Sequence, residues 1–302
     1  MKNVCKMLEN ENLVPYSSMK TGGKAKELYI PETRQQLETL LCTFLKDDRK
    51  FVVFGNFSNV LVPDEGIDVP VIVTTSVRHT EIVSKDEKSA LVYADCGVPM
   101  TKFAFDMCKN GFSDMSFAYG IPGTVGGGVY MNAGAYGGEI SSVVKEVYAI
   151  ARNGEKVTLS KEQCGFAYRE SVFGKEKLYV TGVLFEFGIG DSDALCENAK
   201  LLMSKRCEKQ PLEYPSCGST FKRPEGYFAG ALIEQAGLKG RSVGGACVSE
   251  KHAGFVINKG NATTADVLSL MRFIREEIEK KNGVTLEAEI KLCGRNGEYF
   301  EL

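Results

Sequence analysis

Three segments of this sequence place polar side chains where they could bind or activate a small molecule. GFAYRES carries Tyr168 and Arg169, and an arginine presents a planar fork of donors that suits a carboxylate or a phosphate. EYPSCGSTFKRP carries Ser219 directly after a glycine, and the closing stretch TLEAEIKLC carries Glu289. Each residue also has an ordinary interpretation, namely a surface ion pair, a turn and a solvent-facing glutamate. Their types alone do not decide between these alternatives.

Histidines are too few for several common kinds of active site. The 302 residues include only His79 and His252, which disfavours a Ser-His-Asp triad and a histidine-rich metal site. None of the ten cysteines forms a C-x-x-C pair. Because the first residues, MKNVCKMLENENLVP, lack the apolar region of an export signal, we expect reduced thiols in or near the core. The sequence therefore predicts no metal site.

The most unusual stretch is GIPGTVGGGVYMNAGAYGG, residues 120–138, in which eight of nineteen residues are glycine. Glycine serves tight turns, and it also lets backbone amides approach a bulky anion such as a pyrophosphate. So many glycines in one stretch favour the second use. Neither G-x-G-x-x-G nor G-x-x-x-x-G-K-[ST] occurs, so a nucleotide would need a different cradle. A second loop, residues 55–59, is weak evidence alone, but the pair suggests two loops closing on a dinucleotide.

Hydrophobic spacing predicts the elements that hold these loops in the first two thirds of the chain. An amphipathic helix begins near Pro31 and lies between the strands ELYIP and FVVFGN, which gives a β-α-β unit. The strands VPVIVTT, ALVYADC and LYVTGVLFEFG follow, with a helix from Pro99 to Asn110 between the last two. Asn153 and Gly154 predict a β-hairpin with a type I′ turn.

The last third of the chain is richer in helical patterns. A polar, then helical segment near residue 190 predicts a link to a second unit, which holds a short helix capped by Gly237. A long helix from about Thr264 to Asn282 follows, because apolar residues recur there at helical spacing. In the closing strand, positions 286, 288, 290 and 292 are apolar and share one face, and Glu289 lies on the other. The order of elements is typical of an α+β fold.

The composition is that of an ordinary globular chain. Hydrophobic residues make up 43% and charged residues 25%, and the net charge of −2 lacks the basic excess expected of a nucleic-acid binder. Because no stretch of eighteen apolar residues occurs, we expect neither a membrane span nor a membrane partner. These features predict a soluble cytoplasmic protein.

Five motifs, all in order, resemble a single family. They are G-I-P-G-T-V-G-G-G-x-x-M-N-A-G-A-Y-G-G-E, G-F-x-Y-R-E-S-x-F, P-L-E-Y-P-S-x-G-S-T-F-K, G-G-A-x-V-S-E-K-H-A-G-F-V-I-N and L-E-x-E-I-K. Together they are similar to the bacterial UDP-N-acetylenolpyruvoylglucosamine reductases, in the second, shorter type that lacks an extra tyrosine-bearing loop. The resemblance runs from about Thr21 to Gly294. Five ordered blocks are far more specific than any one of them.

The resemblance implies an FAD-binding fold of the vanillyl-alcohol-oxidase (PCMH) type in two subdomains, residues 1–76 and 77–190. A C-terminal α+β substrate-binding domain, residues 191–302, would follow. FAD would bind non-covalently in both glycine-containing loops, and NADPH would be the hydride-donating co-substrate. The residues assigned to the FAD site are Gly55, Asn56, Phe57, Ser58, Asn59, Ile121, Pro122, Gly123, Thr124, Gly127, Asn132, Ala133, Gly134 and Gly137.

The resemblance also implies the reaction, in which the enolpyruvyl ether of UDP-N-acetylglucosamine-enolpyruvate becomes the D-lactyl ether of UDP-N-acetylmuramate. NADPH would reduce FAD, and hydride would then pass from the flavin to the terminal CH₂ carbon of the enol ether. Arg169 would stabilise the negative charge that spreads from the α-carbon into the carboxylate, and Ser219 would protonate the α-carbon. Glu289 would assist at the enolate or in the protonation. Tyr168 and Lys209 would hold the substrate.

Two residues depart from the family pattern. Phe57 stands where the family usually has a glycine in a G-x-G-S-N loop, and Cys217 stands where it usually has an alanine. We interpret Cys217 as a packing substitution, although a thiol so near Ser219 could be oxidised. Two other functions stay open: a related FAD-dependent oxidase or dehydrogenase for another substrate, and a nucleotide-sugar-binding protein without catalysis.

Overall fold

A computed structural model describes the chain from residue 5 to residue 302. The backbone divides into two units, each made of several chain segments. The first unit contains residues 5–7, Tyr29–Asn56 and Val71–Arg206, and the second contains Leu8–Leu28, Phe57–Pro70 and Cys207–Leu302. The three-domain division at residues 76 and 190 stays a prediction. None of the helices within residues 5–302 is both long enough and apolar enough to span a lipid bilayer.

The described residues form both strands and helices, in runs as well as in alternation. The strands are β1 (Lys6–Asn12), β2 (Lys24–Ile30), β3 (Val52–Phe54), β4 (Val60–Leu61), β5 (Val71–Val73), β6 (Thr80–Lys85), β7 (Ser89–Asp95), β8 (Gly134–Ala135), β9 (Gly138–Glu139), β10 (Val144–Ile150), β11 (Lys156–Ser160), β12 (Tyr179–Gly188), β13 (Ser242–Val243), β14 (Ala246–Val248), β15 (Val256–Asn258), β16 (Lys291–Cys293) and β17 (Tyr299–Phe300). The α-helices are α1 (Arg34–Lys46), α2 (Met100–Lys109), α3 (Val125–Tyr130), α4 (Val172–Lys175), α5 (Ser192–Lys209), α6 (Ala229–Gln235) and α7 (Thr264–Asn282).

The helix predicted near Pro31 begins at Arg34, because Thr33 caps it. The Thr33 hydroxyl accepts a hydrogen bond from the Gln36 N–H at 3.2 Å, which satisfies one of the free donors of the first turn. The strands before and after α1 are β2 and β3, so the predicted β-α-β unit is confirmed. β3 pairs in parallel with β5, and the order of their sheet is β1-β2-β5-β3.

A five-stranded antiparallel sheet organises the first unit. Its order is β11-β10-β12-β7-β6. Alternation along β12 buries Val183, Phe185 and Phe187 on one face. The ring centroid of Phe103, in α2, lies 5.0 Å from that of Phe185, so α2 packs on this face. α3 also packs against β12, which fixes the glycine-rich segment to the sheet.

The hairpin predicted at Asn153 and Gly154 is confirmed, but its turn is not type I′. A type I′ turn needs a positive φ at both central residues. Of the two residues only Gly154 has one, at 84°. The Ala151 N–H donates to the Glu155 carbonyl at 2.8 Å, so three residues form the loop between β10 and β11. Glycine therefore occupies the left-handed position that ends the turn.

The second unit is built around α7, whose bounds match the predicted long helix. The Thr263 hydroxyl accepts from the Asp266 N–H at 3.0 Å and the Asp266 carboxylate accepts from the Thr263 N–H at 3.0 Å, a reciprocal cap. Gly283 ends the helix with a φ of 68°. One face of α7 is buried in the core of this unit, through Val267, Leu270, Met271, Ile274 and Ile278.

The closing strand is shorter than predicted. The regular strand is β16 alone, which pairs in parallel with β4 and antiparallel with β17. The predicted alternation nevertheless holds before it, because Leu286 and Ile290 are buried and Glu287 is exposed. Sequence alternation thus identified the faces correctly, and the number of residues in regular pairing depended on their partners.

The cysteines follow the predicted distribution. All ten are free, and Cys207 is exposed. Six are buried, namely Cys96, Cys108, Cys164, Cys217, Cys247 and Cys293.

Candidate active site

The two glycine-containing loops meet within the first unit. The Asn56 side-chain amide donates to the Pro122 carbonyl at 2.6 Å. A β-carbon on Gly55 would clash with the Thr124 hydroxyl, so glycine is what permits this approach. Gly55 and Asn56 are the part of the first loop that belongs to this unit. For these two residues, the structure supports the hypothesis that the loops act together.

The three consecutive glycines of α3 differ in their surroundings. A β-carbon on Gly126 would lie 2.7 Å from the Cβ of Cys96, and one on Gly128 would clash with the end of the Met100 side chain. Gly127 is exposed, and a β-carbon there would meet the Thr124 hydroxyl oxygen at an ordinary 3.4 Å. Packing against the Cys96 backbone and Cβ therefore accounts for Gly126, the flexible Met100 end makes the requirement weaker at Gly128, and packing does not account for Gly127. Bare, exposed backbone at Gly127 suits a ligand that approaches the main chain.

Tyr168 and Arg169 occupy the tip of a tight turn in the first unit. The Ala167 N–H donates to the Glu170 carbonyl at 3.1 Å, and the Glu170 N–H donates back to the Ala167 carbonyl at 3.2 Å. Arg169 has a φ of 57°, a left-handed conformation that is costly for a residue with a side chain. Its guanidinium carbon lies 4.9 Å from the centroid of the Tyr168 ring, and its Nη2 donates to the Gly134 carbonyl at 3.0 Å.

The glycine-rich segment holds both stems of this turn. The side-chain amide of Asn132, a residue 1% exposed, donates to the Ala167 carbonyl at 3.0 Å. On the other stem, the Ser171 hydroxyl donates to the Tyr130 carbonyl at 2.7 Å. The proposed charge-stabilising arginine is thus attached to the segment that was predicted to hold FAD.

The other assigned residues of this segment have defined positions. Backbone atoms of Ile121, Gly123 and Ala133 all make hydrogen bonds within the unit. The Thr124 hydroxyl caps α3 by accepting a hydrogen bond from the Gly127 N–H at 3.3 Å. Gly137 is exposed, with a φ of 84°, in the turn between β8 and β9.

Ser219, Glu289 and Asn59 come together in the second unit. Thr220 directly follows Ser219, and its carbonyl accepts from the Glu289 N–H at 2.9 Å. The Asn59 side-chain amide donates to the Glu289 carbonyl at 3.1 Å. Ser219 is exposed and Glu289 is half-buried. The proposed proton donor and the carboxylate therefore lie on adjacent backbone segments.

Lys209 and Ser58 are also residues of the second unit. Lys209 is the last residue of α5 and is exposed, whereas Ser58 is half-buried in the loop that leads to β4. The predicted residues are thus divided between the units. Tyr168 and Arg169 belong to the first unit, and Ser219, Lys209 and Ser58 belong to the second.

The two departures from the family pattern are both buried in the second unit, and each is 2% exposed. Phe57 has a φ of 49°, a left-handed conformation that glycine adopts most easily, which explains why the family usually has glycine at this position. The centroid of the Phe57 ring lies 6.2 Å from that of Tyr16. The Cys217 thiol donates to the Val60 carbonyl at 3.4 Å. Burial raises the pKa of this thiol to about 12, so it stays protonated at neutral pH. These facts support the interpretation of Cys217 as a packing residue.

Cys217 should therefore resist alkylation in the native protein. The thiolate is the nucleophile, so iodoacetamide at about pH 8 should modify the exposed Cys207 and leave Cys217 intact. Peptide mass mapping after a timed quench measures both sites. Unfolding in denaturant before alkylation is the control, and both cysteines should then react. Equal labelling of the two in the native state would contradict the burial of Cys217.

Sequence reasoning missed several residues that position this site. Asn132 was predicted for the FAD site, but the bond from its side-chain amide to the Ala167 carbonyl of the Arg169 turn was not anticipated. Ser171 lies in the second motif, G-F-x-Y-R-E-S-x-F, and its place in that motif was the one sequence feature that could have identified it. Arg206 gave no signal, yet a β-carbon on Gly120 would lie 3.1 Å from its Cδ, so its stem covers the start of the glycine-rich segment.

Two families match separate parts of the chain. Residues 25–160 match the family described as "FAD binding domain". Residues 210–293 match the family described as "UDP-N-acetylenolpyruvoylglucosamine reductase, C-terminal domain". An FAD-binding domain followed by this C-terminal domain defines an FAD-dependent oxidoreductase, and it confirms the predicted fold class.

Whole-length relatives specify the family. The UDP-N-acetylenolpyruvoylglucosamine reductase of Lactobacillus acidophilus is 41% identical over 280 residues, 93% of this chain and 92% of the relative. That of Thermotoga maritima is 43% identical over 283 residues, with 93% and 97% covered. The crystal structure of the Thermus caldophilus reductase superposes with a TM-score of 0.78 at 30% identity, covering 95% of this chain and 98% of that one. The chain belongs to the UDP-N-acetylenolpyruvoylglucosamine reductase family, which favours the reductase over the related oxidase or dehydrogenase.

Proposed function

We propose that this protein uses NADPH to reduce UDP-N-acetylglucosamine-enolpyruvate to UDP-N-acetylmuramate, a cytoplasmic step of peptidoglycan precursor synthesis. Membership of the reductase family supports the activity. The observation that carries the residue assignment is the attachment of the Tyr168–Arg169 turn to the glycine-rich segment. This attachment places the Arg169 guanidinium beside the backbone that is proposed to hold FAD. Negative charge would develop there on the carboxylate-bearing substrate.

The residues of the first unit fit FAD. Protein packing does not require a glycine at Gly127, and the residue is exposed. Gly55 allows a second loop to approach the same glycine-rich segment. Bound FAD would supply the hydride chemistry. The residues proposed to hold it are the assigned members of both loops, within residues 55–59 and 121–137, apart from the Asn132 side chain, whose amide is bonded within the protein.

Alanine at neighbouring glycines should separate packing from FAD binding. Gly126→Ala should lower the free energy of unfolding by about 1–3 kcal/mol, because the Cys96 backbone and Cβ cannot move aside cheaply. Gly127→Ala should leave that free energy unchanged or raise it by up to about 1 kcal/mol, since alanine favours the helix. It should nevertheless weaken FAD binding. Urea unfolding of the apoprotein and fluorescence titration with FAD measure the two effects, and wild-type FAD affinity in Gly127→Ala would contradict the proposed contact.

Arg169 is proposed to stabilise the charge that develops in the substrate. Once hydride reaches the terminal CH₂ carbon, negative charge builds on the α-carbon and spreads into the carboxylate. A guanidinium fork donates two hydrogen bonds to such a group, and the closed turn orients it beforehand. Tyr168, which is 45% exposed, and the exposed Lys209 would bind the substrate.

Ser219 is proposed to donate the proton that completes the D-lactyl ether. Its O–H bond breaks as the new C–H bond forms at the α-carbon. Because Ser219 is exposed, solvent can return a proton to its oxygen. Glu289, on the adjacent backbone segment, would assist at the enolate or in this proton transfer.

Anaerobic stopped-flow spectroscopy tests the proposal. NADPH should bleach the flavin absorbance of the purified protein, and UDP-N-acetylglucosamine-enolpyruvate should then restore it. Mass spectrometry should show that the product has gained one hydride and one proton. A protein that takes up no FAD, or whose bleached flavin is not reoxidised by this substrate, would overturn the proposal.

A further inference from the structure

We propose that Asn132 positions Arg169 and does not contact FAD through its side chain. The resemblance placed Asn132 in the FAD site, yet the residue is 1% exposed. Its Nδ2 donates to the Ala167 carbonyl and to Glu139 Oε2, both at 3.0 Å, and its Oδ1 accepts from the Ser141 N–H at 3.2 Å. Both amide hydrogens are therefore used inside the protein. The inference rests on the proposed role of Arg169.

The partners of Asn132 also fix which way its amide points. Glu139 and the Ala167 carbonyl offer acceptors on one side, and the Ser141 N–H offers a donor on the other. A flipped amide would place oxygen against oxygen and nitrogen against N–H. These three partners therefore determine that the Asn132 Nδ2, and not its Oδ1, faces the Ala167 carbonyl.

Asn132 reaches Arg169 through the turn that carries it. The Ala167 carbonyl accepts from Asn132 and from the Glu170 N–H, and the second bond closes the turn. Arg169 has a left-handed φ of 57°, which an unanchored loop would tend to abandon. Removing the Asn132 amide deletes the bond that holds the Ala167 stem to the glycine-rich segment, while the Ser171 stem and the Arg169 bond to Gly134 remain. The turn is then held on one stem only, so the guanidinium is positioned less precisely.

The backbone of Asn132 adds an independent reason for this residue type. Its φ is 43°, in the left-handed region that asparagine tolerates better than most residues with a side chain. Glycine tolerates it as well, so Asn132→Gly deletes the amide without adding backbone strain. The matched control is Asn153→Gly, because the Asn153 amide donates to Glu155 at 2.7 Å in an exposed turn of the same unit.

The FAD-loaded protein should show a split effect in Asn132→Gly. Flavin reduction by NADPH should stay near the wild-type rate, whereas reoxidation by the enolpyruvyl substrate should slow by about 10- to 100-fold, as for a misplaced catalytic group. In an Arg169→Ala background, Asn132→Gly should cause no further loss, since it acts through that arginine. Asn153→Gly should match the wild type in both half-reactions.

Hydrogen exchange of the apoprotein gives a readout without turnover. The Glu170 amide should exchange about three- to tenfold faster in Asn132→Gly than in Asn153→Gly, the scale of one lost hydrogen bond. An unchanged reoxidation rate, equal slowing of both half-reactions, or additive losses in the double variant would overturn the inference. If the wild-type flavin is not reoxidised by this substrate, the proposed function fails instead, and the exchange rate still decides whether Asn132 anchors the turn.

Discussion

Replacing Ser219 by alanine should block the second half of the reaction and spare the first. Reduction of FAD by NADPH requires no proton at the α-carbon of the substrate, so its rate should stay close to that of the wild type. Reoxidation by the enolpyruvyl substrate should slow by about 10²- to 10⁴-fold, the usual contribution of a positioned general acid. Stopped-flow measurement of the flavin absorbance follows both steps in sequence.

Ser242→Ala is a suitable control for that experiment. Ser242 is exposed in the same unit, and its hydroxyl donates to the nearby Gly240 carbonyl at 3.2 Å. This variant should perform both half-reactions at the wild-type rate. Near wild-type reoxidation in Ser219→Ala would remove Ser219 as the proton donor, and Glu289 would become the next acid to test.

Arg169→Ala should also separate the two half-reactions, for an electrostatic reason. The negative charge that Arg169 is proposed to stabilise would develop on the enolpyruvyl substrate, which takes no part in the first half-reaction, so NADPH should still bleach the absorbance. Reoxidation should slow by about 10²- to 10³-fold, the scale found when one preorganised donor to a developing oxyanion is removed. Arg169→Lys should recover only part of the rate, because an ammonium cannot form the paired bonds of a guanidinium.

The control for Arg169 must account for its structural bond. Its Nη2 donates to the Gly134 carbonyl, so the alanine variant also loses a contact to the glycine-rich segment. Arg152→Ala removes an exposed arginine from the same unit and should leave both half-reactions unchanged. Equal loss of both half-reactions in Arg169→Ala, with a lower melting temperature, would assign Arg169 to folding rather than to catalysis.

Elements with local causes were predictable from the sequence. The bounds of α7 follow from apolar spacing, a capping pair at Thr263 and Asp266, and Gly283 just beyond its end. All of these signals lie within the helix or next to it. The same holds for the faces of the closing segment, since alternation of apolar residues is a property of the chain itself.

Features that depend on pairing were predicted less well. The turn at Asn153 and Gly154 differs from type I′, because the register between β10 and β11 sets its loop length. The closing strand is short because the residues before Lys291 pair irregularly with the segment after Ser219. In both cases the deciding partner is distant in sequence or belongs to another strand.

The sequence by itself determined the family, the two glycine-containing loops, and the identities of Arg169, Ser219 and Glu289 as residues to test. Residue type and order were enough for this, because five motifs occur in one chain. Only the tertiary structure decided that the Asn132 amide bonds to the Ala167 carbonyl of the Arg169 turn, and that a β-carbon would clash at Gly126 but not at Gly127. Such distinctions depend on which atoms lie within a few ångströms in space, and a linear pattern does not specify these neighbours.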